Sequence, residues 1–79
     1  MEKSEVLERV VKITCGVLNI DREMVKPDSN FVFDLGAEST QSIQLVAAFE
    51  EEFGIEMDGD AALAVQDVGG AVDFIAKYI

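Results

Sequence analysis

The chain has 79 residues, 16 acidic against 6 basic, with a formal charge of -10 and no histidine. A charge of that sign excludes nucleic acid and anionic lipid surfaces as natural partners, and a hydrophobic content of 49% excludes a disordered acidic tail. With no apolar run long enough to span a bilayer and no basic start leading into an apolar stretch, the expectation is one soluble, cytoplasmic domain over residues 1–79, near the lower size limit for a self-supporting core.

Residues Ser4 to Leu18 read as a first helix. Val6, Val10, Ile13 and Val17 recur at helical spacing, and Leu7 and Leu18 widen the stripe. Glu2, Glu5 and Glu8 suit the positive end of the helix dipole. Cys15, the single cysteine, lies within this pattern without metal-ligand neighbours and reads as an inert, partly buried thiol. A long connection follows from Asn19 to Glu38, with turn chemistry at Pro27, Asp28, Ser29 and Asn30. Ile20, Val25, Phe31 and Leu35 are its anchors to the core, and a short helical turn is expected near Asp21 to Met24. Gly36 permits a sharp turn at positive φ.

The second helix is predicted from Ser39 to about Phe53. Ser39 stands where a serine hydroxyl can cap orphan backbone N–H groups, and where free N–H groups and the helix dipole favour negative charge. Ser42, Leu45, Val46, Phe49 and Phe53 share the face expected to be buried. Thr40, Gln44, Ala47 and Glu51 share another, expected to face solvent or partners, with Ile43 on the flank between. Gly54 is placed to end the helix. Ile55 and Met57 anchor the next loop, and Asp60 is a candidate cap for a short third helix, Ala61 to Val65. The aspartates around Gly59 lack the ligand order of a calcium loop and its closing Glu. Asp67 is a candidate cap for a fourth helix reaching about Tyr78, with Val68, Val72, Ile75 and Ile79 as its stripe. Gly69 and Gly70 weaken its first turn by up to about 1 kcal/mol each, and packing considerations from the sequence account for at most one of them. The pattern is a small all-α four-helix bundle with a long loop between helices 1 and 2 and a short third helix.

The chemistry available to this chain alone is limited. Without histidine there is no Ser-His-acid triad. No glycine-rich nucleotide loop is present, no acids converge as a catalytic pair, and Cys15 has no activating base in view. No Lys or Arg occurs between Lys26 and Lys77, an interval that holds 11 of the 16 acids. Such a surface attracts proteins with basic patches.

Asp34-Leu35-Gly36-Ala37-Glu38-Ser39 resembles the phosphopantetheine attachment motif of acyl carrier proteins, usually Asp-Leu-Gly-Ala-Asp-Ser-Leu. Phe31-Val32 before it, Phe49-Glu50-Glu51-Glu52-Phe53-Gly54-Ile55-Glu56 after it, and Val68-Gly69-Gly70-Ala71-Val72-Asp73-Phe74-Ile75 near the end resemble further segments of that family, in the same order. The resemblance covers almost the whole chain. It implies a non-enzymatic carrier in fatty acid, lipid or polyketide-type biosynthesis, with 4′-phosphopantetheine from coenzyme A attached to Ser39 and Asp34, Leu35, Gly36 and Glu38 forming the attachment motif. The implied partners are a phosphopantetheinyl transferase and acyl-loading and acyl-processing enzymes with basic docking patches, and the implied state is a monomer. An acyl chain could shelter along Val46, Ile43 and the third helix, where Ala47, Met57 and Ala62 would suit either a cavity or a plain core. The alternatives are an aminoacyl or peptidyl carrier, and an acidic interaction module that kept the fold and lost the arm.

Several positions depart from the family pattern. Glu38 replaces Asp, Thr40 replaces Leu, Gln41 and Gln44 stand where acids are common, and Ala47 stands where a larger apolar residue is usual. Phe33 replaces a charged residue and is expected either to pack inside or to be exposed near the serine. The Ala61-Ala62-Leu63-Ala64 run is more apolar than the family's third helix. Because complementary charge sets partner choice and docking rate, these changes imply a specialised carrier with a narrower set of partners.

Overall fold

The computed structural model describes residues 1–79. Its elements are α1 (Lys3–Leu18), a 3-10 turn (Arg22–Met24), α2 (Ser39–Phe53), α3 (Gly59–Leu63) and α4 (Val68–Ala76). Helix α1 packs against both α2 and α4, and α3 packs against α2. This is the four-helix arrangement that the periodicity predicts, with its long first connection and short third helix.

The burial pattern of α1 is rotated from the expected stripe. Val6, Val10, Val11, Thr14 and Leu18 are buried, whereas Leu7, Ile13 and Val17 are only half-buried. Thr14 is the reason a stripe of apolar residues misses the true centre. Its hydroxyl donates to the Val10 carbonyl at 2.8 Å, so the polar atom is satisfied within the helix and the methyl can face the core. Asn19 closes α1 in the left-handed conformation, φ 55°, with its N–H bonded to Cys15 O. On α2, Leu45 and Phe49 are buried and Ser42, Val46 and Phe53 half-buried, as the helical wheel requires. Gly54 ends that helix at φ 63°. Helix α3 begins two residues earlier than predicted: Asp58, not Asp60, is its cap, accepting from Ala61 N–H at 3.1 Å. Asp60 instead lies in the first turn, where its charge suits the dipole. Helix α4 ends at Ala76, before the predicted Tyr78, and Ile79 is exposed, so its buried set is Val68, Ala71, Val72 and Ile75.

The connection between α1 and α2 is long but fixed. Val25, Phe31 and Leu35 are buried as expected, and Ile20 is half-buried. Ser29 is buried with its hydroxyl accepting from Lys26 N–H at 2.9 Å. Main-chain bonds then sew this segment to the α3–α4 junction: Phe31 N–H to Gln66 O at 2.9 Å, Val68 N–H to Ser29 O at 3.0 Å and Gly69 N–H to Pro27 O at 2.7 Å. The last bond accounts for Gly69. A Cβ there would lie 2.9 Å from the Pro27 carbonyl oxygen. At Gly70 a Cβ would lie 2.8 Å from Asp67 Oδ1, the atom that caps α4 by accepting the Gly70 N–H at 2.6 Å. Two adjacent glycines thus serve two different close approaches, one to a neighbouring loop and one to the helix's own cap.

Three of the six cations are tied up at the surface. Lys3 pairs with Asp73 at 2.7 Å and joins α1 to α4. Arg9 reaches Glu5 and, across to α2, Glu52, each at 3.3 Å. Arg22 pairs with Glu8, whose hydrogen bond and charge hold the guanidinium above its ordinary pKa. Exposed pairs of this kind contribute little to stability. Their effect is on the field, because they neutralise acids on α1 and at the α1 edges of α2 and α4.

Candidate functional site

The segment leading into α2 is a self-closed turn. Asn30 Oδ1 accepts from the N–H groups of Val32 and Phe33, both at 2.9 Å, and Asp34 Oδ2 accepts from Asn30 N–H at 2.7 Å. The main chain adds Gly36 N–H to Val32 O at 3.1 Å and Ala37 N–H to Phe31 O at 2.8 Å. Gly36 adopts φ 74°, the conformation its position required. Leu35 and Ala37 point into the core and are buried. Asp34, Leu35 and Gly36 therefore act as a bracket: a carboxylate that ties the turn, an apolar anchor and a left-handed bend.

This bracket delivers Glu38 and Ser39 to the mouth of α2. Glu38, not Ser39, occupies the cap position, and Ser39 is the first helical residue. Gln41 supplies one arm of a capping box, its Oε1 accepting the Glu38 N–H at 2.9 Å. Serine capping is thus excluded for Ser39, and its side chain is exposed. The first helical bond runs from Ser42 N–H to Glu38 O at 2.9 Å, so the N–H groups of Ser39 and Thr40 lie at the open end of the helix. A hydroxyl beside such an end can carry a negatively charged diester without a countercharge from a side chain.

Ser39, Ser42 and Val46 fall on one face of α2. The last two line a cavity of about 280 Å³. Thirteen of its sixteen lining residues are hydrophobic, a lining that suits an apolar group better than a polar ligand. Phe31, Leu45, Phe49, Met57 and Ala62 form its walls, and Val32, Phe33 and Leu63 also line it while remaining 53%, 88% and 50% exposed. The predicted lining is right for Val46, Met57, Ala62 and α3. It is wrong for Ile43 and Ala47, which are exposed outside the cavity because they lie on the side of Val46 turned away from the buried Leu45 and Phe49.

The acidic triplet of α2 has divided uses. Glu50 accepts the Met57 N–H at 2.8 Å and holds the loop that leads to α3. Glu52 pairs with Arg9. Glu51 is exposed, as are Thr40, Gln44 and Ala47 on the same predicted face. Sequence reasoning placed Asn30 in a turn without its side-chain bonds, and missed the structural roles of Gln41 and Glu50. Asn30 and Gln41 had visible signals: an Asn followed by its own turn partners, and a Glu38-x-x-Gln41 spacing just ahead of an apolar helix.

Comparison with known proteins agrees with this geometry. The family described as phosphopantetheine attachment site matches residues 8–75. An acyl carrier protein of Sinorhizobium fredii (strain NBRC 101917 / NGR234) is 49% identical over 74 residues, covering 94% of this chain and 95% of that protein. Acyl carrier protein AcpP of Rhizobium meliloti (strain 1021) is similar to the same extent, 49% identical over 74 residues with the same coverage.

Proposed function

This chain belongs to the acyl carrier protein family, and from that premise we propose that Ser39 is its attachment residue and that the cavity beside it shelters the acyl cargo. The carrier role makes the chain a partner of biosynthetic enzymes rather than a catalyst. When bound, 4′-phosphopantetheine supplies a terminal thiol that holds an acyl group as a thioester. The chain's own residues do the rest. Asp34, Leu35 and Gly36 fix the turn, Glu38 and Gln41 fix the start of α2, and the Ser39 hydroxyl stands in solvent where a transferase can reach it. Side chains of this chain need not activate that hydroxyl, since the modifying enzyme brings its own chemistry. No helix is long and apolar enough to cross a membrane.

The single observation that carries the proposal is the exposed Ser39 at the open end of α2, one turn from Ser42, which lines an apolar cavity. Partners would read the Thr40, Gln44, Ala47 and Glu51 face. Its one acid, together with the neutral Gln41 and Gln44, supports a carrier with a restricted set of enzymes. The test is to incubate the purified chain with coenzyme A and a broad-specificity transferase and measure its mass. A phosphopantetheine-sized gain that disappears in Ser39→Ala is expected. A gain that persists in the variant would move the site elsewhere, and no gain in the wild type would favour an unmodified interaction module.

A further inference from the structure

Eight large apolar side chains are exposed on this protein, and three of them gather at one place. Met1, Tyr78 and Ile79 belong to the chain ends, and Met24 and Ile43 stand apart from the cavity. Val32, Phe33 and Leu63 all line the cavity while remaining half or more exposed. Val32 and Phe33 come from the turn before α2, and Leu63 comes from α3. They form an apolar rim on two sides of the opening. Phe33 is the extreme member at 88% exposed. A solvated phenyl ring gains nothing from its hydrophobicity in this position.

The backbone beneath that ring is rigidly held. The Phe33 N–H donates to Asn30 Oδ1, the neighbouring Val32 N–H donates to the same oxygen, and Asp34 returns a bond to Asn30. Phe31, two residues earlier, is buried and bonded through its N–H to Gln66. The base is fixed, so the ring can change position only about its own side-chain torsions. Exposed rotamers interconvert on the picosecond to nanosecond scale. A freely turning ring on a fixed base at the rim of an apolar cavity can cover the opening once something apolar fills it.

We propose that Phe33 is the residue that closes the cavity over a bound acyl chain, and so sets how long a chain of medium length stays withdrawn from solvent. This inference rests on the carrier reading above. The occupant is the acyl group borne by the same molecule, because the cavity is apolar, its rim is apolar, and Ser39 lies one helical turn from the lining residue Ser42. At about 280 Å³ the cavity is near the lower end of ordinary ligand pockets. An octanoyl chain offers a length of apolar surface to such a cavity and its rim, whereas an acetyl group offers a single methyl.

The test compares octanoyl and acetyl forms of the full chain, in wild type, Phe33→Ala and Phe33→Leu. The readout is the rate at which neutral hydroxylamine attacks the thioester carbonyl and releases the free thiol. The octanoyl form of the wild type is expected to react more slowly than the acetyl form. Phe33→Ala should speed the octanoyl reaction by up to about tenfold, equivalent to ~1.4 kcal/mol, and leave the acetyl reaction unchanged. Phe33→Leu should restore most of the protection, because it keeps an apolar rim. Equal octanoyl rates in wild type and Phe33→Ala would overturn the role of the ring. Equal octanoyl and acetyl rates in the wild type would overturn sheltering itself while leaving attachment intact. Failure of the wild type to accept the arm at all would overturn the carrier reading and this inference with it. Folding does not confuse the result, since an exposed ring contributes little to the apo protein and Phe33→Ala should melt with the wild type.

Discussion

The start of α4 gives a prediction whose sign opposes the ordinary rule. Replacing glycine by alanine within a helix normally stabilises it, by up to about 1 kcal/mol. At position 69 the added Cβ would sit 2.9 Å from the Pro27 carbonyl oxygen, a backbone atom that cannot swing away. The Gly69 N–H donates to that same oxygen at 2.7 Å, so any retreat of the loop stretches a bond worth about 1 kcal/mol. Overpacking of this kind costs roughly 1–3 kcal/mol. With the propensity gain set against both losses, Gly69→Ala should destabilise by about 2 kcal/mol, roughly a 10 °C drop in Tm for a chain of this size. Gly70→Ala is the control. Its Cβ would meet Asp67 Oδ1, the far end of a side chain that can turn aside. The loss is then one helix cap, about 1 kcal/mol, which the propensity gain nearly cancels. Urea and thermal melts of the apo proteins would measure both. A Gly69→Ala protein as stable as the wild type or more so would refute the packing argument.

Two further outcomes follow from charge. Of the acids between Lys26 and Lys77 only Glu52 and Asp73 pair with a cation, so raising salt from about 0.02 M to about 1 M, where the screening length falls to about 3 Å, should raise Tm by several degrees; a flat response would show that self-repulsion is not limiting. On α2, Gln44→Glu adds an acid to an exposed face. It should raise kcat/KM with general fatty-acid synthesis enzymes several-fold, chiefly through faster docking. A wild-type protein that already matches a housekeeping carrier with those enzymes would end the idea of a restricted partner set.

Helical periodicity made most of the fold legible, because apolar spacing reports directly on which face is buried. The bounds of α2 are as predicted, since Gly54 and the turn at Gly36 fence it on both sides. Polar residues used internally were harder to foresee. Thr14 sits at the centre of the α1 core face only because its hydroxyl bonds back to Val10. Asp58 took the capping role assigned to Asp60, as either side chain had the chemistry and only the path of the chain chose between them. At the candidate site, the turn and the exposure of Ser39 were readable from local chemistry. The identity of the capping residue was not, because Glu38 with Gln41 takes the cap that the sequence offered to Ser39. Nor could periodicity reveal that Gly69 and Gly70 answer to partners in a distant loop and a side-chain cap, as neither contact leaves a repeat in the sequence.

The walls of the cavity are not held alike. On one side, residues 29–31 are tied to residues 66–68 by main-chain bonds that cannot lengthen without breaking. On the other, the five-residue α3 closes its main-chain bonds within residues 58–65, and only Asp58 N–H reaches outside them, to the Tyr78 hydroxyl at 3.3 Å. A load too bulky for the resting volume should therefore displace α3 rather than the turn that leads to Ser39, so that strain from the cargo falls on one side of the bundle.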